Sequence, residues 1–455
     1  MMLGINSPFF IGIGGSGMSS LAHILLDMGL EVYGSDKSPD SPSVRLLRSR
    51  GAELFFDARN LDTLPVDAVI FSTAIDRNTN PIYLEFKRKN IPALHRSELL
   101  HRIFALKKSI AVAGSHGKTS TTAMVSQILV ESGMDPAVMV GGEVSFLGGR
   151  GGRWGEGEWG VYESDESDGT FLNHSPAIKI ITNIDNDHLD YYKSFDNLLK
   201  SFSEYIENKN QSKSVVYSPD KGIQKVLKSI TDRNGIVSYS DDESPEDLSN
   251  IKFTISDDSL SFQKNKIHYS LSLPFKGDHY LKNSLAAVLA AELAGVPIVT
   301  SISILKKYAG VKRRLEFLGE KSGVRVYDDY GHHPTEIFSV INSLKRMKNG
   351  NGRCVVLFQP HRFTRTKELF KEFSGALGES DFVFLLPIYS AGEKPIEGIS
   401  SELILKNFSD IEKIQLLSGE KANDVSSIGK LLRKDDILVT LGAGNVREWG
   451  ELFLQ

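Results

Sequence analysis

The sequence contains very little cysteine: Cys354 is the single one among 455 residues. It stands in the apolar run RCVVLF, which predicts a buried core residue, and one cysteine allows no disulfide within the chain. Such usage is typical of a reducing compartment. No basic stretch precedes the first apolar run, at 9–14, and no segment reaches the roughly 20 apolar residues of a membrane helix. We therefore expect a soluble cytoplasmic protein without a secretory signal.

The chain also lacks a strong excess of charge of either sign. Its 53 Lys and Arg against 57 Asp and Glu give a formal net charge of −4. That balance gives no indication of a nucleic-acid or membrane surface. Hydrophobic residues make up 40% of the sequence and charged residues 24%, which allows a packed core. At roughly 150 residues per domain, the length predicts about three domains.

Short apolar runs rich in β-formers alternate with helical segments along most of the chain. Continuous apolar strands separated by helices predict parallel sheets with covered faces. Three runs end in a turn that leads into a helix, at Gly12, Gly114 and Asp328, so we expect three α/β domains. The predicted boundaries fall near 94–109 and 306–317, which places the domains at 1–98, 99–312 and 313–455. The acidic segment 240–250 is predicted to be a solvated loop.

The first glycine-rich turn, GIGGSGMSS, follows a strand. Gly12, Gly14 and Gly17 have G-x-G-x-x-G spacing, and Asp36 lies near the end of the next strand. Absent side chains let the backbone approach a pyrophosphate at a helix N-terminus, and the acid can bind a ribose hydroxyl. The pattern predicts a dinucleotide or nucleotide-sugar site without identifying the ligand. The alternative is a merely tight strand–helix turn.

The segment AVAGSHGKTS, at 111–120, resembles a phosphate loop with one glycine displaced. The usual pattern places a glycine five residues before Gly117, where this sequence has Val112; its first glycine is Gly114. A strand, a glycine turn and a helix are the context that such a loop requires. Lys118 would neutralise charge on a transferred phosphoryl group, and Thr119 would ligate Mg²⁺. The alternative is a helix start with a surface lysine, against which the run of hydroxyls at 119–122 argues.

Acidic residues follow two further strands. Glu163 begins ESDESDGTFL, and His188 stands in TNIDNDHLDYY. Both motifs are predicted at carboxyl ends of parallel strands, where open α/β sheets bind ligands. Together with Lys118 they predict Mg²⁺ ligands; His188 is the weaker inference because Mg²⁺ prefers oxygen. The alternative is a pair of solvated acidic turns.

The last third of the chain is rich in histidine and arginine at predicted strand ends. VYDDYGHHPTEI clusters acids with His332 and His333, but no cysteine or third histidine stands at zinc-site spacing. FQPHRFTRT follows the next strand, and the guanidinium groups of its arginines are suited to binding a carboxylate. The alternative is that these basic residues face solvent. Asn283, in an alanine-rich helix, is a further candidate for a ligand contact, and its alternative is core packing. Arg314, at the second boundary, is a candidate for binding phosphate, and its alternative is a solvated linker.

These features together suggest one reaction, in which ATP activates a carboxylate and an amine then attacks it. Phosphorylation gives the carboxylate a good leaving group, and a metal with Lys118 would stabilise the transferring phosphoryl group. No Ser-His-Asp or Cys-His arrangement suggests a covalent protein nucleophile.

Over essentially its whole length, the sequence resembles the Mur ligases, and among them those that add L-alanine. The motifs that carry the resemblance are, in order, GIGGSGMSSLA, GSHGKTSTT, ESDESDGTFL, TNIDNDHLDYY, KRRLEF, DDYGHHPTEI and FQPHRFTRT. The resemblance implies a Rossmann-like N-terminal domain that binds a UDP-sugar, a P-loop ATPase central domain and a Rossmann-like C-terminal domain that binds an amino acid. It implies an ATP- and Mg²⁺-dependent ligase of peptidoglycan precursor synthesis, a monomer or homodimer. The enzyme would join L-alanine to the lactyl carboxylate of UDP-N-acetylmuramate through an acyl phosphate.

The resemblance also assigns site residues. The catalytic residues would be Lys118, Glu163, His188 and Arg314. ATP would contact Gly114, Ser115, His116, Gly117, Lys118, Thr119, Ser120, Asn283, Arg314 and Asp329. Thr119 and Glu163 would bind one Mg²⁺, and His188 would bind a second. The UDP-sugar would lie on Gly14, Gly15, Ser16, Gly17, Met18, Asp36 and Ser72. The incoming amino acid would meet His333, His361, Arg362 and Arg365.

Two departures from the family pattern are visible. Ser115 and Ser120 replace threonines of the phosphate loop and keep the hydroxyls. Tyr280 stands where the family's His-Asn-x-x-Asn has its first asparagine, so either the adenine contact there is lost or stacking on adenine replaces a hydrogen bond.

Three alternative functions stay open on the sequence. One is a sister ligase that recycles murein by joining a ready-made peptide to the same sugar-nucleotide. The others are an NAD-dependent oxidoreductase, built on the first glycine-rich turn, and a non-catalytic UDP-sugar-binding protein.

Overall fold

The computed structural model describes residues 3–55, 61, 63–207, 212–241 and 251–455. It divides into two compact units: the first spans residues 1–274 and 280–311, and the second spans 275–279 and 312–455. Of the predicted loop at 240–250, Ser240 and Asp241 end a strand, and the remaining residues lie outside the described ones.

The first sheet of the first unit is parallel throughout, in the order β3-β2-β1-β4-β5. Its strands and helices are β1 (Pro8–Ile11), α1 (Ser16–Asp27), β2 (Tyr33–Ser35), α2 (Pro42–Ser49), β3 (Glu53–Leu54), β4 (Ala68–Phe71), α3 (Pro81–Arg88), β5 (Ala93–His95) and α4 (Arg96–Phe104). All four residues of β1 are buried, because helices cover both faces of a parallel sheet. The glycine-rich turn at 12–15 therefore lies at the carboxyl end of the central strand.

The second sheet of the first unit has the order β15-β14-β13-β12-β11-β10-β6-β9-β7-β8. Its elements are β6 (Lys108–Ala113), α5 (Lys118–Glu131), β7 (Ala137–Val144), β8 (Arg150–Arg153), β9 (Trp159–Glu163), β10 (Ile178–Ile181), α6 (Leu189–Tyr192), α7 (Phe195–Glu207), β11 (Lys213–Tyr217), α8 (Lys221–Ser229), β12 (Ile236–Asp241), β13 (Ile251–Ser256), β14 (Ser259–Lys264), β15 (Ile267–Ser272), α9 (Asp278–Leu293) and α10 (Ile298–Leu305). The strands from β13 to β7 run parallel, whereas β14, β15 and β8 pair antiparallel. The phosphate-loop strand β6 lies between β10 and β9, which carry the two acidic motifs.

The two helices nearest the phosphate loop are buried along most of their length. In α5, every residue from Thr119 to Leu129 is buried. In α9, every residue from Asn283 to Ala291 is buried. A helix that is buried on all sides keeps its N-terminus in a fixed position. A phosphate site requires such a fixed N-terminus.

The second unit has one sheet in the order β16-β17-β21-β18-β19-β20, in which β16 is antiparallel to β17 and the other pairs are parallel. Its elements are β16 (Glu316–Lys321), β17 (Val324–Asp329), α11 (Pro334–Met347), β18 (Cys354–Phe358), α12 (Phe363–Leu377), β19 (Phe382–Leu385), α13 (Glu402–Lys406), β20 (Ile414–Leu416), α14 (Lys421–Leu431), β21 (Ile437–Leu441) and α15 (Arg447–Leu454). Cys354 is fully buried, as predicted, and burial raises the pKa of its thiol to about 12.

The predicted fold class, three mainly parallel α/β sheets in a three-domain chain, is confirmed. The first two sheets share one compact unit because α1 packs closely on β7 and β8. A β-carbon at Gly152 would overlap the backbone oxygen of Ser20, and the Ser20 hydroxyl donates to the carbonyl oxygen of Val140 at 2.9 Å. The exact boundaries at 98 and 312 stay predictions. In the part of the chain that the structure describes, no helix is both long and apolar enough to cross a membrane.

Candidate active site

The phosphate loop occupies residues 114–117, between the end of β6 and the start of α5. Gly114 has φ 124° and Gly117 has φ 82°, backbone conformations that favour glycine. A β-carbon at Gly114 would overlap the side chain of Thr182. The shortened G-x-x-G-K-T motif thus has a glycine at each of the two positions that require one.

The end of β10 holds this loop in place. The Asn183 carbonyl accepts from Ser115 N at 3.1 Å, and its side-chain oxygen accepts from His116 N at 2.9 Å. The Thr182 hydroxyl donates to the His116 carbonyl at 2.6 Å. His116 Nε2 lies 3.3 Å from Asp185 Oδ2. Thr182 and Asn183 were not among the predicted site residues, although their position just after an apolar strand was a usable signal.

Lys118 lies at the first position of α5, and its ammonium turns back over the loop. It donates to the carbonyl oxygens of Gly114 at 2.7 Å and Ser115 at 3.3 Å, and to Glu166 Oε1 at 2.7 Å. Burial lowers the pKa of Lys118, but the carboxylates of Glu166 and its neighbours outweigh that effect and raise it. The ammonium is therefore charged at neutral pH.

Glu166 is fully buried and lies between two predicted catalytic residues. Its Oε1 also lies 3.6 Å from His188 Nε2, and among the described residues its Oε2 has no hydrogen-bond partner. Burial lowers the pKa of His188, but the hydrogen bond to Glu166 and the charge of Asp187 raise it overall. The sequence placed Glu166 in the acidic motif and gave it no role, because four acids stand close together there.

Glu163 lies at the end of β9, beside the first turn of α5. Its Oε1 accepts from the Thr119 hydroxyl at 3.1 Å, and its Oε2 accepts from Gly141 N at 2.9 Å. A hydroxyl and a carboxylate side by side at a phosphate loop are oxygen donors of the kind that Mg²⁺ prefers. The structure thus brings together Lys118, Thr119, Glu163 and His188.

The other hydroxyls of α5 have local partners. Thr121 donates to the Gly117 carbonyl at 2.9 Å, and Thr122 donates to the Lys118 carbonyl at 2.8 Å. These bonds within the helix explain how it tolerates threonine, so the two hydroxyls give no evidence for a ligand. Ser120 is buried at 5% exposure.

Asn283, on the first turns of α9, lies directly against the phosphate loop. Its side-chain amide nitrogen would be 2.9 Å from a β-carbon at Gly117, so a larger residue there would push the amide away. Tyr280, at the departure from the family pattern, is only 4% exposed. Asn283 therefore lies against the phosphate loop, and Tyr280 belongs to the core.

The first glycine-rich turn leads into α1. Gly14 N donates to Asp36 Oδ2 at 2.7 Å, and a β-carbon at Gly14 would crowd both that carboxylate and Val44. Gly15 and Ser16 are exposed at the helix N-terminus, whereas the Met18 side chain is buried in the core. Asp36 thus supports the turn, and any ligand contact of Met18 would come from its backbone.

One ion pair joins the first sheet to the acidic motif of the second. Arg96, at the start of α4, bonds Asp165 Oδ2 at 2.5 Å, and another nitrogen of its guanidinium lies 3.4 Å from where a β-carbon of Gly17 would be. Asp165 is desolvated, but the charges of Arg96 and Lys118 lower the pKa of its carboxyl. Ser72, at the end of β4, is half-buried.

In the second unit, Asp329 is buried at the end of β17. Its two oxygens accept from Leu315 N and Gly331 N, each at 2.7 Å. Burial raises the pKa of Asp329 to about 6, although the nearby Arg314 opposes this. Arg314 lies over the ring of Tyr330, 5.4 Å from its centroid. Asp329 and Arg314 are thus neighbours.

The predicted amino-acid residues of the second unit have different surroundings. The His361 ring stacks on Tyr389 with centroids 5.6 Å apart, and burial lowers the pKa of His361 to about 4. Arg362 donates to Glu393 at 2.6 Å, which neutralises its charge. Arg365, on α12, makes no ion pair among the described residues. His333 caps α11, where its ring nitrogen accepts from Thr335 N at 3.4 Å.

The fold and this site define a nucleotide-binding α/β protein with a phosphate loop and an adjoining carboxylate–hydroxyl pair. The chain belongs to the Mur ligase family. Three family models match it: the "Mur ligase family, catalytic domain" at residues 9–108, the "Mur ligase middle domain" at 157–291 and the "Mur ligase, glutamate ligase domain" at 313–444.

Named relatives match the chain over its full length. The UDP-N-acetylmuramate–L-alanine ligase of Endomicrobium trichonymphae is 38% identical, covering 100% of this chain and 99% of the relative. The enzyme of the same name from Dictyoglomus turgidum is also 38% identical, covering 100% and 97%. The crystal structure of the UDP-N-acetylmuramate–alanine ligase of Thermotoga maritima has a TM-score of 0.81 at 25% identity, covering 98% of each chain. A murein peptide ligase from Psychrobacter arcticus has a TM-score of 0.74 at 21% identity, which shows the shared fold.

Proposed function

We propose that this protein is an ATP-dependent ligase that joins L-alanine to the lactyl carboxylate of UDP-N-acetylmuramate. The observation that carries the proposal is the phosphate loop with Lys118, Thr119, Glu163 and His188 grouped around it. The full-length relatives named for that reaction support the choice of substrates. The NAD-dependent alternative leaves this group without a purpose.

The residues around the loop fit ATP and Mg²⁺. Thr119 and Glu163 supply adjacent oxygens 3.1 Å apart for one Mg²⁺, and His188 would bind a second. The metal would supply charge stabilisation at the phosphates. The loop's backbone N–H groups, together with the N-terminus of α5, favour bound phosphate. In the second unit, Arg314 and Asp329 are the proposed contacts to the phosphates and the ribose.

The reaction needs two displacements. A carboxylate oxygen of the sugar-nucleotide attacks the γ-phosphorus of ATP, and ADP leaves, which forms an acyl phosphate. The amine of L-alanine then attacks the carbonyl carbon, inorganic phosphate leaves and the amine loses a proton. The charged Lys118 stabilises the transferring phosphoryl group.

The second unit would bind the amino acid. The low pKa of His361 makes its imidazole neutral at pH 7 and therefore able to hydrogen-bond without adding charge. Arg365 is the better candidate for the alanine carboxylate, since Glu393 already neutralises Arg362. Arginine suits a carboxylate because its fork donates two parallel hydrogen bonds.

Phosphate release from ATP and Mg²⁺ tests the proposal. The assay contains UDP-N-acetylmuramate with no acceptor, with L-alanine, or with a tripeptide, and mass spectrometry follows the product. Release that requires both the sugar-nucleotide and L-alanine, with a product heavier by one alanine residue, is the expected result. Release with the tripeptide alone would mean the recycling reaction instead, and no release with either would contradict a ligase.

A further inference from the structure

The ammonium of Lys118 is fully occupied within the protein itself. A lysine ammonium has three N–H donors, and Lys118 has three acceptors: the carbonyls of Gly114 and Ser115, and the Glu166 carboxylate. A phosphate oxygen can bind this ammonium only after one of these contacts is given up. Two of them come from the loop backbone, which Thr182 and Asn183 hold in place.

The third acceptor, Glu166, is the one that carries charge. It is fully buried, so its interaction with Lys118 is weakly screened by solvent. Its second oxygen has no partner among the described residues. Glu163 and Asp165 add negative charge close to the same ammonium. A bare nucleotide would therefore bring its phosphates toward several carboxylates, and a cation bound with it would offset the repulsion.

We propose that Glu166 is a positioning residue that makes nucleotide binding at the phosphate loop depend on a divalent cation, because it competes with the phosphates for Lys118. This inference rests on the proposed function, since it requires that the loop binds a nucleotide. In the absence of nucleotide, Glu166 holds the Lys118 ammonium folded onto the loop. When a nucleotide arrives with its cation, the added positive charge allows the ammonium to turn from the carboxylate to the phosphates.

Glu166→Gln tests the competition, since it keeps the shape and removes the charge. Calorimetric titration with ADP, with and without Mg²⁺, measures binding independently of activity. We expect the variant to bind metal-free ADP about tenfold more tightly than the wild type. The gain in affinity that Mg²⁺ brings should shrink by a similar factor.

Asp168→Asn is the matched control. Asp168 belongs to the same acidic motif, but its carboxylate accepts from Thr170 and makes no bond to Lys118. This variant should keep the wild-type ratio of affinities with and without Mg²⁺. If it changes the ratio as Glu166→Gln does, the effect is one of general charge and the inference is wrong.

The other outcomes are equally decisive. Metal-free ADP binding by Glu166→Gln that is unchanged or weaker would overturn the inference and leave Glu166 a supporting role in the fold. A wild type that binds no ADP even with Mg²⁺ would refute the proposed phosphate site, and the inference with it. If Glu166→Gln does not fold, Glu166→Asp tests the competition instead, because its side chain is one methylene shorter and the carboxylate lies farther from Lys118. Wild-type affinity for metal-free ADP in that variant would contradict the competition.

Discussion

Replacing Lys118 by methionine should affect stability and catalysis through separable causes. The variant leaves the fully buried carboxylate of Glu166 without its closest cation, 2.7 Å away. Removing one partner of a buried ion pair typically costs about 3–5 kcal/mol. Lys118 is 16% exposed, and His188 remains 3.6 Å from the same carboxylate, which reduces the loss. We therefore expect the free energy of unfolding to fall by about 2–3 kcal/mol.

The double variant Lys118→Met with Glu166→Gln separates the two effects. Neutralising Glu166 removes the uncompensated charge, so the double variant should regain at least about 1 kcal/mol over the single one. Activity should not return with it, because the cation that stabilises the transferring phosphoryl group is still missing. Both variants should lose about 10²-fold or more in kcat.

Urea unfolding followed by circular dichroism measures the stabilities, and phosphate release measures kcat. Lys108→Ala is the control lysine: Lys108 and its partner Glu158 are 60% and 62% exposed, so a change within about 0.5 kcal/mol is expected. A double variant no more stable than Lys118→Met would show that the charge of Glu166 is not what Lys118 compensates. Near-normal kcat in either variant would refute the role of Lys118.

Three further results are expected. Glu163→Gln should raise the Mg²⁺ concentration needed for half-maximal phosphate release by about tenfold or more, because it removes the carboxylate beside Thr119; an unchanged Mg²⁺ dependence would exclude Glu163 as a ligand. Gly114→Ala should abolish measurable ADP binding in calorimetry while the far-ultraviolet spectrum stays native, because the added carbon overlaps Thr182 at φ 124°; wild-type binding would contradict the geometry. Burial lowers the pKa of His174 to about 4 from an ordinary 6.5, so the native state binds fewer protons between those values and loses stability as the pH falls from 6.5 to 4. In urea unfolding, His174→Phe should lower the free energy of unfolding by about 1 kcal/mol at pH 7, because the bond to Tyr162 is lost. Between pH 6.5 and 4 the variant should lose less stability than the wild type. If the free energy of unfolding falls equally with pH in both proteins, His174 is not a source of the acid sensitivity.

The relation between sequence and structure differs from one part of the site to another. The glycine positions of the phosphate loop follow from its motif, because a backbone at φ 82° or 124° favours glycine whatever surrounds it. The role of Asp36 does not follow in the same way. The motif suggested a ribose ligand, which stays a prediction; the motif does not specify that its carboxylate accepts from Gly14 N, which the structure shows. Arg362 is similar, since nothing near it in sequence indicates Glu393 as its partner.

The sequence by itself determined the alternation of strands with helices, the mainly parallel sheets and the place of each glycine turn. These depend on the local alternation of apolar runs with helical segments and on backbone conformations that few residue types adopt. Only the tertiary structure decided that Glu166, of the four acids in its motif, meets Lys118, and that Thr182 and Asn183 hold the loop. Those contacts join residues 48 to 67 positions apart across neighbouring strands. Their geometry depends on strand register and on burial, which a single sequence does not specify at the level of one side chain.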